Sequence, residues 1–425
     1  MPRNQFYPDK SVPPEKFVGR TSELSTIFDK INSRDHVAIF GSSGMGKTSL
    51  LQYIENSKFW EERDLDFSEA LIVYHNCELS VIDSFWQEVL RTLIDKATGD
   101  QDLVSKINAL LGLEKIEITD IRELLREIGK RGKFLLLLLD DYHRILGTRE
   151  EYPENQGKKS KKVLTFLSEL RNLAVHNREG QYFSTIVATF QKLHELGPTI
   201  VPGGSPWYNH YAYLPLKPFC KSDIEGHFFN RDSHFFISDA PKEEVLKMTG
   251  GYPALLQFTG YIFSRLEPVN VDTLNTMLKN DADRIFQDVW NNFEKNEQEI
   301  LQLILIDKYK GKFREISYSI AGIEKEFIRN ISILKSLEEK GFISQVKQAN
   351  KYSFTSSLME DFIGDQLAEK NVSNAKDRKI VINLFIIKIT LGLWKKVKEK
   401  IQPVTKFISP LAKIIDLIAN KIEGK

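Results

Sequence analysis

Gly41-Ser42-Ser43-Gly44-Met45-Gly46-Lys47-Thr48 follows the apolar run His36-Val37-Ala38-Ile39-Phe40 and leads into Ser49-Leu50-Leu51-Gln52-Tyr53-Ile54. The eight residues fit G-x-x-x-x-G-K-[ST], the phosphate loop, in the setting that loop needs, where a buried strand turns into a helix. Glycines let the loop's amides turn inward around a phosphate chain, and the helix that follows adds free N–H groups and the positive end of its dipole. The candidate nucleotide contacts are therefore Gly41, Ser43, Gly44, Met45, Gly46, Lys47, Thr48 and Ser49. Lys47 is expected to reach the β- and γ-phosphates of ATP, and the Thr48 hydroxyl to ligate Mg2+.

The second decisive stretch is Phe134-Leu135-Leu136-Leu137-Leu138-Leu139-Asp140-Asp141, a fully apolar strand that ends in two acids. At such a strand end the first acid holds Mg2+ and the second polarises the attacking water. Asp140 thus takes the metal role and Asp141 the role of base. Three more runs read as strands: Ala70 to Tyr74, Tyr182 to Phe190 and Tyr211 to Leu216 join His36 to Phe40 and Phe134 to Leu139 in a five-stranded parallel sheet with alternating helices. Thr189 and Gln191, at the end of the Tyr182 to Phe190 run, stand either as γ-phosphate sensors or as plain strand-end polar groups; Thr189 is taken as a candidate catalytic residue.

Composition fits a globular protein of several cores. The chain has 425 residues, 41% hydrophobic and 28% charged, with a formal net charge of +1, which argues against nucleic-acid binding by bulk electrostatics. Its two cysteines, Cys77 and Cys220, stand far apart with no CxxC or His cluster, as reduced cytosolic thiols would. The first ten residues carry no apolar signal core, and no run is long enough to span a membrane, so a cytoplasmic location is expected.

Five segments follow in order: an extended lead-in with four prolines (1–15), a nucleotide-binding domain (16–218), a helical lid (219–282), a winged-helix domain (283–368) and a basic amphipathic tail (369–425). Helices are expected from Thr21 to Ile31, from a Ser80 cap to about Ile94, from Asp120 to Lys130 and from Val163 to Val175. Residues 98 to 117 look irregular or weakly helical, and Thr148 to Lys162 reads as a mobile surface loop. In the lid, Pro241 should start a helix that stops at Gly250-Gly251-Tyr252-Pro253, with another from Ala254 to Leu266. Pro253 is placed either to offer a rigid apolar edge to a bound base or simply to open that helix.

One long helix is expected from Asp281 to Lys308. Ile316 to Ile320, Phe327 to Lys340, and two short strands around Phe342 to Val346 and Tyr352 to Phe354 then complete the order of a winged helix-turn-helix. Over Asn291 to Gln366 there are eleven basic residues against twelve acidic ones. Lys325, Arg329, Lys335 and Lys340 are matched by Glu324, Glu326, Glu338 and Glu339, where a DNA reader would carry excess positive charge. A packing or regulatory role is therefore favoured. From Ile380 onward nine lysines face three acids, and Leu411, Ile414, Ile415, Ile418 and Ile422 share one helical face. Such a stretch can pack on the protein's own helices, dock on a partner or lie on an anionic membrane surface.

Phe17-Val18-Gly19-Arg20-x-x-Glu23-Leu24, the phosphate loop, the Asp140-Asp141 strand end and Gly251-Tyr252-Pro253 ahead of a winged helix occur in that order. Together they resemble the STAND class of signal-transducing ATPases, relatives of NACHT and NB-ARC proteins and of archaeal-type AAA ATPases, over about residues 14 to 366. The resemblance implies an ATP/ADP switch, closed with ADP and assembling with ATP, a slow hydrolase plausible in defence or stress signalling. It also implies Val18 and Arg20 near the adenine or phosphates and Pro253 against the base. Two features of the class are missing: no Arg follows the sensor strand, and Tyr352 to Asp361 stand where some relatives have a wing His. Arg171 and Arg178, just ahead of the sensor strand, are the candidates for an arginine finger reaching a neighbour's nucleotide. The alternative is an AAA+-type DNA-associated ATPase, a loader or transposition regulator, with its winged helix on DNA.

Overall fold

The computed structural model describes residues 6–152, 157–199, 206–225, 239–265, 271–308, 323–346 and 351–373. They belong to two compact units, Asp9–Leu216 and a second made of Met1–Pro8 with Lys217–Lys425.

The first unit is built on five strands: β1 (His36–Phe40), β2 (Ala70–Asn76), β3 (Phe134–Asp140), β4 (Phe183–Thr189) and β5 (Tyr211–Pro215), in the order β2-β3-β4-β1-β5. Every pairing is parallel, so the five-stranded sheet expected from the sequence is borne out as an α/β phosphate-loop fold. β1, β3 and β4 are buried along their whole length, which is why β3 reads as an unbroken apolar run, while Ser184 and Thr185 of β4 are buried with hydrogen-bond partners in Asp35 and His36. Helices Lys47–Glu55, Phe85–Lys96, Gln101–Leu111, Ile118–Gly129 and Lys158–Arg171 make the crossovers. Leu135, Leu137 and Leu139 of β3 share one core with Phe85, Val89, Leu125, Ile128 and Phe166 from those helices.

Several expected boundaries are corrected. Residues 98 to 117 contain a regular helix, Gln101–Leu111. Asp100 caps it by accepting the Leu103 amide at 2.9 Å, and Leu103 and Ile107 are its buried stripe. Ser80 does not cap a helix. Its hydroxyl lies 2.7 Å from His75 Nε2 and donates to Glu88, and the helix starts only at Phe85. The expected surface loop ends early, because Ser160 and Val163 bury and the helix is already formed at Lys158. That helix stops at Arg171 and passes into a π-turn, Asn172–His176.

In the second unit, Phe6 packs so tightly on Gly260 that a Cβ there would meet its ring at 2.1 Å. The Tyr7 amide donates to Gln257 Oε1, so these residues of the expected lead-in are fixed on helix Pro253–Arg265. The helix expected from Pro241 is Asp239–Thr249, starting two residues earlier. It ends in Gly250 and Gly251 at φ 61° and 79°. At Gly251 a Cβ would sit 2.1 Å from the Phe219 carbonyl oxygen, so this turn admits only glycine.

The single helix expected from Asp281 to Lys308 is two, Val271–Asn291 and Lys295–Lys308. Between them Phe293 turns inward against Phe342, ring centroids 4.8 Å apart. Glu297 accepts the Glu294 amide and so starts the second helix. The stretch Phe327 to Lys340 likewise divides into Ile323–Arg329 and Ile331–Glu339 at Asn330, whose side chain donates to the Glu326 carbonyl. β6 (Ile343–Gln345) and β7 (Tyr352–Phe354) form an antiparallel hairpin, and helix Ser357–Ser373 follows. The expected helix Ile316 to Ile320 and the tail from Ile380 lie outside the described residues.

Lys340 and Glu297 form a buried ion pair at 2.6 Å, their side chains 8% and 7% exposed. Removing one partner strands the other charge in a low-dielectric site. Lys340→Met should therefore lower stability by about 3–5 kcal/mol, the scale for a broken buried pair. Lys340→Met with Glu297→Gln should recover most of that loss, because no charge is then stranded. Denaturant unfolding of the two variants checks this; equal losses would contradict it.

Candidate functional site

The C-terminal ends of β1, β3 and β4 carry the expected chemistry, and strand register places it. Phe40 of β1 pairs with Thr189 of β4, Leu139 of β3 with Val187 of β4, and Asn76 of β2 with Asp140. Gly41, the Asp140-Asp141 step and Thr189 therefore leave the sheet side by side at one edge.

The loop's backbone explains its glycines. The Gly41 amide donates to the Thr189 carbonyl, and a Cβ at Gly41 would lie 2.8 Å from the Leu216 carbonyl oxygen. Gly44 and Gly46 sit at φ 79° and 86°, and Gly46 immediately precedes helix Lys47–Glu55. Met45 is buried beneath the turn. Lys47 Nζ donates to the Gly41 and Ser42 carbonyls at 2.8 and 3.1 Å, so its ammonium is held over the loop it is expected to serve. Ser43 and Thr48 are partly exposed, Thr48 in the first turn of the helix. The Ser49 hydroxyl faces the other way and accepts the Val12 amide at 2.9 Å.

The Phe17-Val18-Gly19-Arg20 turn is fastened to the same helix. Phe17 packs on Tyr53 with ring centroids 5.0 Å apart. Gly19 and Arg20 both adopt the left-handed conformation, at φ 70° and 59°, an arrangement a non-glycine residue keeps only where its surroundings hold it. The buried Arg20 guanidinium donates to the Met45 carbonyl at 3.1 Å and pairs with Glu23 at 3.0 Å. Arg20 thus braces the phosphate loop from outside, and Val18 lies half-buried beside it.

At the end of β3 the two acids differ. Asp140 is buried, and both its oxygens are engaged: Oδ2 accepts the Tyr74 hydroxyl at 2.9 Å and Oδ1 accepts the Asp141 amide at 3.0 Å. The Asp141 side chain is 37% exposed, and its backbone turns through φ 48°. Burial, and next the neighbouring Asp140 charge, push the Asp141 carboxyl above its ordinary range, while Lys47 pulls it back. A carboxylate so perturbed is a better proton acceptor than an ordinary one. His143 stands 3.9 Å from Asp141 and edge-on to Phe190, centroids 4.6 Å apart. Burial, and then Lys47 and Arg144, lower its pKa to about 3, so it is a neutral packing partner. Thr189 is fully buried; its hydroxyl donates to the Gln191 carbonyl at 2.6 Å and shapes the turn out of β4.

Three candidates lie elsewhere. Arg171 ends its helix, and Arg178 opens the short turn Arg178–Tyr182 that precedes β4. The seven residues of β4 separate that end of the sheet from Thr189, about 20 Å at the usual rise of ~3.3 Å per residue. Neither arginine can reach its own chain's loop. Pro253 belongs to the second unit, at the first position of helix Pro253–Arg265. Sequence reasoning passed over Tyr74, His143 and Leu216. Tyr74 could be recognised only by the β2–β3 register, which sets it diagonally across from Asp140.

The donor set suits a hard cation. A hydroxyl at Thr48 and a carboxylate at Asp140 are oxygen ligands of the kind Mg2+ takes in company with phosphates and water. Among the described residues no group of three His, Cys, Asp or Glu side chains converges on a metal position, as a metal completed by substrate oxygens would not need one.

Comparison with known proteins agrees with this geometry. Residues 31–196 match the family model of an AAA domain, so the chain carries a phosphate-loop ATPase domain of the AAA type. No curated protein sequence matches the chain. Among solved structures it is similar to a Walker-type ATPase of Pyrococcus abyssi, at 16% identity and a TM-score of 0.54, covering 84% of this chain and 99% of that one. It is also similar to the ORC2 protein of Aeropyrum pernix in its ADPNP–ADP complexes, at 13% identity and a TM-score of 0.50, covering 86% and 98%. At these identities the likeness is one of fold.

The raised Asp141 pKa has a consequence for stability. Above the ordinary value of 3.8 the folded state is penalised for carrying this ionised carboxylate; below it the group is protonated whether folded or not. Asp141→Asn should therefore raise the melting temperature at neutral pH, and the gain should vanish as pH falls below the unfolded value. Melting curves of variant and wild type across pH check this; an unchanged or lower melting temperature at neutral pH would contradict it.

Proposed function

We propose that the chain is a slow, Mg2+-dependent ATPase that acts as a nucleotide-governed switch and self-associates in its ATP state. The observation that carries the reading is the convergence of the phosphate loop, Lys47, Thr48 and the Asp140-Asp141 step at one end of the sheet. The loop amides and the N-terminus of helix Lys47–Glu55 hold the phosphates. Lys47 exchanges the Gly41 and Ser42 carbonyls for phosphate oxygens, and Thr48 and Asp140 hold Mg2+. When bound, Mg2+ supplies neutralisation of the β- and γ-phosphate charge. Asp141 then accepts a proton from the water that attacks the γ-phosphate, and Thr189 and Gln191 stand where the loss of that phosphate would be felt. On the likeness of their motifs to the STAND class, Val18 and Arg20 are assigned to the adenine or the phosphates and Pro253 to the base.

The surface of helices Ile323–Arg329 and Ile331–Glu339, read as part of a winged helix, favours a protein partner over DNA. Of the four basic residues there, Lys340 is buried on Glu297, while Lys325, Arg329 and Lys335 are exposed, Arg329 paired with Glu326 at 2.7 Å. Ile328 and Ile331 are instead 59% and 44% exposed. A reader of phosphates would carry cations in excess of acids here and keep its isoleucines in. Residues 380–425, by their sequence pattern, are proposed as the output or docking element, on a partner or on a membrane surface.

Light scattering of purified full-length protein tests the switch. Lys47→Ala should abolish nucleotide binding and stay small under all conditions, whereas Asp141→Asn should retain ATP and grow in mass with ATP alone. An Asp141→Asn protein that binds ATP and stays monomeric would contradict the switch. Growth that occurs only with added duplex DNA, and fades steeply with salt, would favour the DNA-associated ATPase instead.

A further inference from the structure

Asp140 is oriented from outside its own strand. Tyr74 lies on β2, whose register pairs Asn76 with Asp140 and Tyr74 with Leu138. Residues two apart on a strand share a face, so Tyr74 and Asp140 are diagonal neighbours across the β2–β3 ladder, within reach of a long aromatic side chain. The phenol uses that reach, donating to Oδ2 at 2.9 Å. With Oδ1 accepting the Asp141 amide, the carboxylate is gripped at both oxygens and its plane is set. Burial first, and then the Asp140 charge, raise the Tyr74 pKa well above ordinary tyrosine, so the phenol stays a donor at any pH the protein meets.

We infer that Tyr74 is a positioning residue for the metal site: it fixes which Asp140 lone pairs face the Mg2+ hydration shell, and its own oxygen offers an acceptor to water in that shell. The inference rests on the assignment of Asp140 to the metal. Two physical points support it. A phenolic oxygen donates one hydrogen bond and keeps lone pairs to accept others. Groups that orient a metal's ligands from behind commonly change metal affinity by about 10- to 100-fold when removed. Asp140 is buried at a strand end, and every extra donor that holds its ionised form there offsets the cost of desolvating it.

The test is Tyr74→Phe in the full chain, read by the binding of a fluorescent ADP analogue in EDTA and then across a Mg2+ titration. Binding in EDTA should stay within about twofold of wild type, because the phenol touches no phosphate ligand. The Mg2+ concentration that half-saturates the metal-dependent gain should rise about 10-fold, the lower end of the range for such groups. A Tyr74→Phe protein that melts lower but keeps the wild-type Mg2+ midpoint would show a purely structural bond and overturn the inference. So would an equal loss of binding in EDTA. A wild-type protein whose ADP binding ignores Mg2+ altogether would instead overturn the metal assignment of Asp140 itself, a result visible before any variant is made.

Discussion

Phe40 of β1 pairs with Thr189 of β4 on one side and with Pro215 of β5 on the other, and the chemistry of the first unit depends on that parallel alignment. Parallel strands end together, so the groups that follow them emerge together. Gly41 can take its tight course past Leu216 only because β5 runs alongside and the Leu216 amide bonds the Phe40 carbonyl. Slip β3 by one residue and Asp140 would face the opposite side of the sheet. Such a slip would draw Lys133 or Asp141 into the buried run of β3, and the cost of burying that charge turns a requirement of packing into precision at the site.

That edge also concentrates unfavourable features. Two adjacent acids, one buried, share a small region with Lys47 and a neutral His143, and Arg20 and Asp141 both hold left-handed backbone. Each costs stability taken alone. Local rules are broken in this way where function requires it and the surrounding structure can hold the strain. Here the hold is visible: Tyr74 and the Asp141 amide on Asp140, Glu23 and the Met45 carbonyl on Arg20, and Phe190 against His143.

Much of the first unit was legible in the sequence, for a physical reason. A strand buried on both faces, such as β3, appears as an unbroken apolar run, and a phosphate loop needs glycines at fixed places, so β1, β3 and the loop announce themselves; β4 is marked instead by its β-branched Thr185, Ile186, Val187 and Thr189. Helix Gln101–Leu111 reads only as irregular or weakly helical, although Asp100 and the Leu103–Ile107 pair signal it, because its buried stripe is narrow. The breaks at Asn292–Glu294 and Asn330 were hidden because tertiary partners make them: Phe293 turns in to meet Phe342, and the Asn330 side chain reaches the Glu326 carbonyl. Tyr74 was out of reach on different grounds. Its role depends on register between strands some sixty residues apart, which no single segment encodes. The winged-helix and tail readings remain expectations from pattern, since residues 309–322 and 374–425 lie outside those described.

The central claim is that one end of the sheet is a single nucleotide site in which Lys47 leaves its own loop for phosphate. A crystal structure of the chain with Mg2+ and a non-hydrolysable ATP analogue tests it most directly. The account predicts phosphates within the amides of residues 41–48, Lys47 Nζ moved from the Gly41 and Ser42 carbonyls to phosphate oxygens, and Mg2+ between Thr48 and the water bound by Asp140. Nucleotide seated elsewhere, or Lys47 still bonded to those two carbonyls with the loop filled, would contradict it.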